Sequence, residues 1–189
     1  MNPIFTAALE VQEFCLARQW GFCFIGGIAV QRWGEPRLTL DVDLALLTGF
    51  GKEPRYVDAL LERFPGRIPE ARDFALRNRV LLLFAGNGVP LDISLGAMPF
   101  EERTIERSSE FSIGNGSSLR ICSAEDLVVH KAFAGRDKDW ADIAGIVARS
   151  AGRLDLALID EELTPLLALK GTPDAAARLM GIIRATSMP

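Results

Sequence analysis

The spacing of apolar and polar residues changes near residue 122, from a mixture of helical and strand-like segments to helical segments alone. Residues 3–19 carry most of their apolar side chains on one side of a predicted helix. "GFCFIGG" then predicts a short strand that runs into a glycine turn, and residues 27–34 a short helix that begins on those glycines. Residues 38–47, "LTLDVDLALL", alternate and then become continuously apolar, which is typical of a central strand.

The later segments complete a mixed fold. They are a helix over 54–64, two strands over 77–96 around the turn Gly86-Asn87-Gly88, a short helix or turn in "PFEERTIERS", two short strands in "EFSIGNGSSLRIC", two helices within 123–150, and one each over 155–170 and 173–185. We therefore predict an α/β (α+β) fold with a small mixed β-sheet and flanking helices. Residues 1–122 are expected to form the α/β core and residues 123–189 a helical C-terminal subdomain.

Composition and charge narrow the class of protein. Of 189 residues, 49% are hydrophobic and 24% are charged, which are globular values. No apolar run approaches the roughly 20 residues that a membrane helix needs, and the three cysteines form no CxxC pair. We expect free thiols, a cytoplasmic location and no membrane partner. The net charge of −4 and the pI of about 5.1 argue against tight non-specific binding of nucleic acid, so any basic face must be local.

Two acidic residues interrupt the apolar segment 38–47. Asp41 and Asp43 are separated by one valine, and on a strand both would point to the same face, with Leu40 and Val42 on the buried face. Adjacent carboxylates repel each other, so the arrangement needs a positive charge nearby. A cation that prefers oxygen ligands, such as Mg²⁺, supplies it. The alternative is a strand end that reaches solvent.

A third carboxylate has a similar position. Asp92 lies between Leu91 and Ile93 in an otherwise apolar strand, on the opposite face from both. If this strand is the neighbour of residues 38–47, Asp92 joins Asp41 and Asp43 at one end of the sheet. Three carboxylates bind two metal ions, or bind one ion and leave a base. A solvated edge residue is the alternative for Asp92.

The glycine pair Gly26-Gly27 lies between a predicted strand and a predicted helix. Backbone can approach a ligand closely there, and a helix N-terminus attracts anions through its free N–H groups. A phosphate site beside a carboxylate site predicts a nucleoside triphosphate bound with Mg²⁺, or with Mn²⁺ in its place. The spacing of a P-loop is absent from the sequence, and a simple tight turn is the alternative.

These residues form a pattern known from one superfamily. A strand, Gly-Gly, a short helix and then Arg-x-Thr-x-Asp-x-Asp resembles the nucleotidyltransferases with the DNA polymerase beta-like fold. The form "GGIAVQRWGEPRLTLDVDL" looks most like the AbiEii/AbiGii toxin-type branch, and "EDLVVHKAFAGRDKDWADI" is similar to that branch's second signature. The resemblance covers roughly residues 20–145.

The resemblance implies a role for each candidate residue. Asp41, Asp43 and Asp92 would bind the metal and catalyse transfer, and Gly26 and Gly27 would hold the triphosphate. Lys131 would contact the nucleotide phosphates, although a lysine on a partly apolar helix face could simply extend to solvent.

Three further residues join the nucleotide-binding candidates. Arg37 and Thr39 lie on the predicted strand face of the aspartates. Arg37 would steady a carboxylate or reach a phosphate; the alternative is a charged surface residue. Asp139 would orient Lys131; the alternative is a solvated charged residue in the first turn of a helix.

The expected function is Mg²⁺-dependent transfer of a nucleoside monophosphate from an NTP to an acceptor hydroxyl, with release of pyrophosphate. The resemblance implies a toxin–antitoxin or phage-defence component that acts on tRNA, other RNA or protein, with an antitoxin as its partner. Arg72, Arg77 and Arg79 are candidates for a local basic groove. Two other functions stay open: an adenylyltransferase for small molecules such as aminoglycosides, and a non-catalytic module that binds nucleotide or a partner.

Overall fold

The computed structural model describes residues 2–187. Within them, the chain forms two compact units, one of residues 2–28 and 38–122 and one of residues 29–37 and 123–187. The helices are α1 (Pro3–Ala17), α2 (Gly26–Trp33), α3 (Glu53–Arg63), α4 (Ala71–Asn78), α5 (Pro99–Glu106), α6 (Ala124–Ala134), α7 (Asp137–Ser150), α8 (Leu156–Lys170) and α9 (Asp174–Ser187). The strands are β1 (Phe22–Phe24), β2 (Val42–Leu47), β3 (Val80–Phe84), β4 (Pro90–Gly96), β5 (Ser109–Gly114) and β6 (Ser117–Ile121). The predicted domain boundary after residue 122 stays a prediction.

The first unit is built on one six-stranded mixed sheet, as the sequence predicts. Its strand order is β3-β4-β2-β1-β6-β5. β2 and β4 run parallel, as do β1 and β6, whereas the hairpins β3–β4 and β5–β6 and the pair β1–β2 are antiparallel. β2 is central, and its residues Val42, Leu44, Ala45 and Leu46 are buried, which accounts for its continuous apolar run.

The register between β2 and β4 decides the position of two acidic residues. Asp43 lies directly opposite Asp92, between the apolar pairs Val42–Leu91 and Leu44–Ile93. The apolar residues of both pairs are fully buried, so a slip of one residue would turn them away from the core. The expectation that the strand of Asp92 neighbours that of Asp43 is therefore confirmed.

The predicted strand 38–47 is wrong at its start. β2 begins only at Val42, because its pairing with β4 starts at Val42–Leu91 and its pairing with β1 at Leu44–Phe24. Residues 38–41 precede the strand, and the side chain expected on the buried face, Leu40, is 71% exposed. Asp41 therefore reaches its neighbours from the segment before the strand, not by strand alternation.

One helix was absent from the prediction. α4 occupies part of a segment that the sequence left unassigned, and β3 begins at Val80, not at residue 77. Only Ala71 and Ala75 of α4 are buried, so the segment has little hydrophobic periodicity. Arg79 ends the helix in a left-handed conformation with φ of 56°, where glycine is the usual residue.

Most of the second unit consists of α6, α7, α8 and α9. Ser123 caps the N-terminus of α6, and its hydroxyl accepts a hydrogen bond of 3.0 Å from the Asp126 N–H. It ends at Gly135, which has a positive φ of 72°. Among the described residues, no helix combines the length and apolar character required to cross a membrane.

Candidate metal and nucleotide site

Three carboxylates meet in the first unit. One carboxylate oxygen from each of Asp41, Asp43 and Asp92 lies within 4.8 Å of the other two, and all three residues are half-buried. The β2–β4 register places Asp43 and Asp92 side by side, and Asp41 joins them from the segment before β2. We call these three residues the carboxylate cluster.

Thr39 supports the carboxylate cluster directly. Its hydroxyl donates a hydrogen bond of 3.1 Å to Asp41 Oδ1, and Oγ1 also lies 3.3 Å from the Asp41 carbonyl oxygen. These contacts fix the turn of chain that carries Asp41 towards the cluster. The structure thus shows Thr39 holding a candidate metal ligand, and its predicted contact with a nucleotide stays a prediction.

The glycine pair gives the carboxylate cluster its space. Gly26 has a φ of +58°, and a Cβ at this residue would lie 1.9 Å from Asp43 Oδ2. A Cβ at Gly27 would lie 2.2 Å from Thr39 Oγ1, while the Gly27 N–H donates to Asp43 Oδ2 at 3.3 Å. Any larger residue would displace these side chains. The start of α2 therefore packs against the cluster, a constraint that the sequence did not reveal.

Asp92 carries the feature that best fits a metal ion. Its Oδ1 is buried and accepts no hydrogen bond, although Arg67 Nη1 lies 2.8 Å away in an ion pair. A buried carboxylate oxygen without a hydrogen bond is costly. Three hard oxygen donors, one of them without a hydrogen bond, match the preference of Mg²⁺ or Mn²⁺. The residues present thus fit the predicted cation.

A second charged group lies in the second unit. It comprises three cationic and two acidic side chains, which we call the lysine network: Arg37, Lys131, Arg136, Asp139 and Asp142. Lys131 is only 5% exposed, which rules out the simple extension to solvent. Its Nζ lies 2.6 Å from Asp142 Oδ2 and 3.5 Å from Asp139 Oδ1. Asp142 is therefore its closer partner, and Asp139, the predicted one, is the more distant.

Arginines complete the lysine network from both sides. Arg37 holds Asp142 with two hydrogen bonds, of 2.7 Å from Nε and 2.9 Å from Nη2. Arg136 Nε donates to Asp139 Oδ2 at 2.6 Å. Of the alternatives for Arg37, the structure thus shows a residue that steadies a carboxylate, although one outside the expected strand.

The lysine network also sets the ionisation of its acids. Burial is the largest single influence on Asp142 and raises its pKa, but the hydrogen bonds and charges of Arg37 and Lys131 together outweigh it. The pKa of Asp142 consequently lies below its usual value. For Asp139, burial is again outweighed, here by Arg136 and Lys131, and its pKa is also lowered. Both groups are therefore carboxylates at neutral pH.

The three arginines of the conjectured basic groove are paired with carboxylates. Arg72 Nε lies 2.7 Å from Asp58 Oδ1, and Arg77 Nη2 lies 4.0 Å from Glu70 Oε2. Arg79 pairs with Glu53 and donates to the Leu95 carbonyl oxygen. All three arginines thus have carboxylate partners within the first unit, and Arg79 holds the end of α4 in place.

Comparison with known families settles the kind of protein. A sequence model of the family described as "Nucleotidyl transferase AbiEii toxin, Type IV TA system" matches residues 19–184, which is most of the chain. The chain belongs to the AbiEii nucleotidyltransferase family. The resemblance drawn from the glycine pair, the aspartates and the lysine signature is confirmed. Membership of the AbiEii family supports a nucleotidyl transfer role and an NTP substrate.

One solved structure supports the fold, and two others are similar over most of the chain. An antigenic nucleotidyltransferase-like protein from Paracoccidioides brasiliensis is 15% identical, with a TM-score of 0.51 over 93% of this chain and 91% of that one. ANT(2")-Ia in complex with adenylyl-2"-tobramycin is 16% identical, with a TM-score of 0.48 over 94% and 95%. JHP933 from Helicobacter pylori is 12% identical, with a TM-score of 0.43 over 95% and 91%. No protein of curated function matches the sequence.

Proposed function

We propose that this AbiEii-family protein transfers a nucleoside monophosphate from an NTP to an acceptor hydroxyl, in an EC 2.7.7-type reaction that requires Mg²⁺ or Mn²⁺. The acceptor is a tRNA, another RNA or a protein, and the context is a cytoplasmic toxin–antitoxin or phage-defence pair with an antitoxin as partner. The observation that carries the proposal is the carboxylate cluster, in which one oxygen from each residue lies within 4.8 Å of the other two, at the start of α2.

The residues of the first unit have distinct tasks in this reaction. Asp41, Asp43 and Asp92 hold the cation, which when bound neutralises phosphate charge and activates the attacking hydroxyl. Thr39 keeps Asp41 in place through its hydrogen bond. Gly26 and Gly27 let backbone and carboxylate approach each other, and the N-terminus of α2 favours the negative charge of the triphosphate.

Proton transfer needs one further group. We assign it to Asp92, which would accept the proton of the attacking hydroxyl while the acceptor is held in place. The support is the position of Asp92 in the carboxylate cluster, directly opposite Asp43. An Asp92→Asn protein that turns over at the normal rate would remove this assignment.

Lys131, Arg37 and Asp139 complete the proposal as nucleotide-binding residues. The support for Lys131 is that its ammonium group is desolvated and held between two carboxylates, which fixes the position of a charge suited to phosphate. Arg37 and Asp139 hold that arrangement from the two sides of the lysine network. If Lys131 contacts the nucleotide, the Lys131→Met variant should have a higher KM for NTP than the wild type.

A labelling experiment tests the function. The purified protein is incubated with each α-labelled NTP and Mg²⁺, together with total cell RNA, a protein lysate or an aminoglycoside. We expect label in RNA or protein, and loss of that label in an Asp41→Asn, Asp43→Asn double variant. The Glu62→Gln variant, which changes an exposed acid of α3, serves as the matched control and should label normally.

The other outcomes separate the alternative functions. Label that appears only on the aminoglycoside would identify a small-molecule adenylyltransferase in place of the proposed activity. No label and no pyrophosphate with any NTP and either metal would indicate a non-catalytic module. Co-expression with the product of a neighbouring reading frame tests the antitoxin, which should abolish the label.

A further inference from the structure

The segment after α3 is attached to the edge of the sheet. The Arg67 N–H donates to the Leu82 carbonyl oxygen at 2.9 Å, the Phe84 N–H donates to the Pro65 carbonyl oxygen at 2.9 Å, and Gly66 forms an isolated bridge with Leu83. Arg67 is therefore held at β3 by main-chain hydrogen bonds, and its position does not depend on its side chain alone.

The strand registers connect the segment of Arg67 with the carboxylate cluster. Leu82 lies opposite Asp92, and Asp92 lies opposite Asp43. The order across the sheet is thus Arg67, Leu82, Asp92 and Asp43. An arginine consequently stands at the outer end of a row that contains two of the three carboxylates.

The side chain of Arg67 forms an ion pair with Asp92. Its Nη1 lies 2.8 Å from Asp92 Oδ1, and the two side chains are 26% and 29% exposed. Asp92 Oδ1 is buried and receives no hydrogen bond from the guanidinium. The contact is therefore an electrostatic pairing with poor hydrogen-bond geometry, which is weaker than a bidentate arginine–carboxylate pair.

We propose that Arg67 is a positioning residue that supplies the counter-charge of Asp92 in the metal-free protein and competes with the divalent cation for that carboxylate. The inference rests on the proposed function, because it takes the carboxylate cluster as the metal site. Two positive charges at one carboxylate repel each other, so a bound cation weakens the Arg67–Asp92 pair, and the pair in turn weakens cation binding.

The test is the affinity for Mn²⁺ of the full chain without nucleotide, measured by calorimetry and by the Mn²⁺ signal in electron paramagnetic resonance. An ion pair of this exposure changes an equilibrium constant by up to about fivefold. Arg67→Ala should therefore bind Mn²⁺ about two- to fivefold more tightly than the wild type. Arg67→Gln, which keeps the length of the side chain, should show the same increase and serves if the alanine variant does not fold.

Two controls isolate the effect. Arg63→Ala removes another arginine that pairs with a carboxylate, since Arg63 Nη2 lies 2.5 Å from Glu10 Oε1, and should leave Mn²⁺ affinity unchanged. In an Asp92→Asn background, Arg67→Ala should no longer tighten binding, because the carboxylate for which they compete is gone.

The outcomes separate the inference from the function on which it rests. A wild type that binds Mn²⁺, with Arg67 variants that bind equally or more weakly, would overturn the competition and leave the metal site standing. A wild type that binds no Mn²⁺ would overturn both. An equal tightening by Arg63→Ala would also overturn the inference, because it would show a general effect of net charge.

Discussion

The carboxylate cluster should make the metal-free protein less stable than it would be with one charge fewer. The change that tests this is Asp41→Asn, which keeps the size of the side chain and an oxygen that can accept the Thr39 hydrogen bond. It removes the repulsion of Asp41 with Asp43 and with Asp92. Without metal, the variant should therefore be more stable than the wild type.

The spacing of the carboxylates gives the magnitude. One oxygen of each carboxylate lies within 4.8 Å of the others. At that limiting distance two unit charges repel by about 0.9 kcal/mol in bulk water and about 3.5 kcal/mol at an effective dielectric constant of 20. The cluster is half-buried, and Arg67 offsets part of the repulsion at Asp92. We expect Asp41→Asn to raise the unfolding free energy of the metal-free protein by about 1–2 kcal/mol.

Thermal unfolding in EDTA and then in saturating Mg²⁺ measures this effect. In EDTA the midpoint of Asp41→Asn should rise by about 2–8 °C for a chain of this size, and the gain should shrink at high salt. In Mg²⁺ the wild type should gain stability and the variant little. The matched control, Glu62→Gln, should stay within about 0.5 kcal/mol of the wild type in both buffers. An Asp41→Asn protein that is less stable in EDTA, or that gains as much from Mg²⁺ as the wild type, would refute the reasoning.

Three further predictions concern the glycine pair and the lysine network. Gly26→Ala should abolish stabilisation by Mg²⁺, because its Cβ would lie 1.9 Å from Asp43 Oδ2. The control is Gly51→Ala, at a glycine with a φ of +75° and no atom within 4 Å of an added Cβ. In urea unfolding this control should show only backbone strain, of about 1–2 kcal/mol. Lys131→Met should lower the unfolding free energy by up to about 3 kcal/mol, because it takes one of two cationic partners from each of two buried carboxylates. Lys138→Met, at an exposed residue of α7, should be neutral. Equal effects of the two changes would contradict the network. Because the pKa values of Asp139 and Asp142 are lowered, both carboxylates stabilise the fold above their usual pKa of 3.8, and this stabilisation is lost as pH falls through the lowered values. In Asp142→Asn the unfolding free energy should therefore fall less steeply with decreasing pH. An unchanged pH dependence would count against the assignment.

The core of the site was predictable because its chemistry is local in the sequence. Asp41 and Asp43 are two residues apart, and the apolar residues around Asp92 indicate a buried strand. The neighbouring β2 and β4 then bring the three carboxylates together. The sequence also indicated the glycine pair, but not its close approach to Asp43 and Thr39, which depends on the tertiary structure.

The features that escaped prediction depend on tertiary pairing. Leu38 and Leu40 continue the alternation of β2, yet both lie before the start of the strand and are exposed. α4 buries only two alanines and ends at an arginine in place of glycine. Arg67 has no local pattern at all, because its place beside Asp92 results from the attachment of its segment to β3.

The most direct test of the proposed metal site is anomalous diffraction from a crystal of the full chain grown with Mn²⁺ and a non-hydrolysable NTP. We predict manganese bound by carboxylate oxygens of Asp41, Asp43 and Asp92, with the triphosphate at the N-terminus of α2. A crystal that contains the nucleotide but holds manganese on other residues, or holds none at the carboxylate cluster, would contradict the central claim.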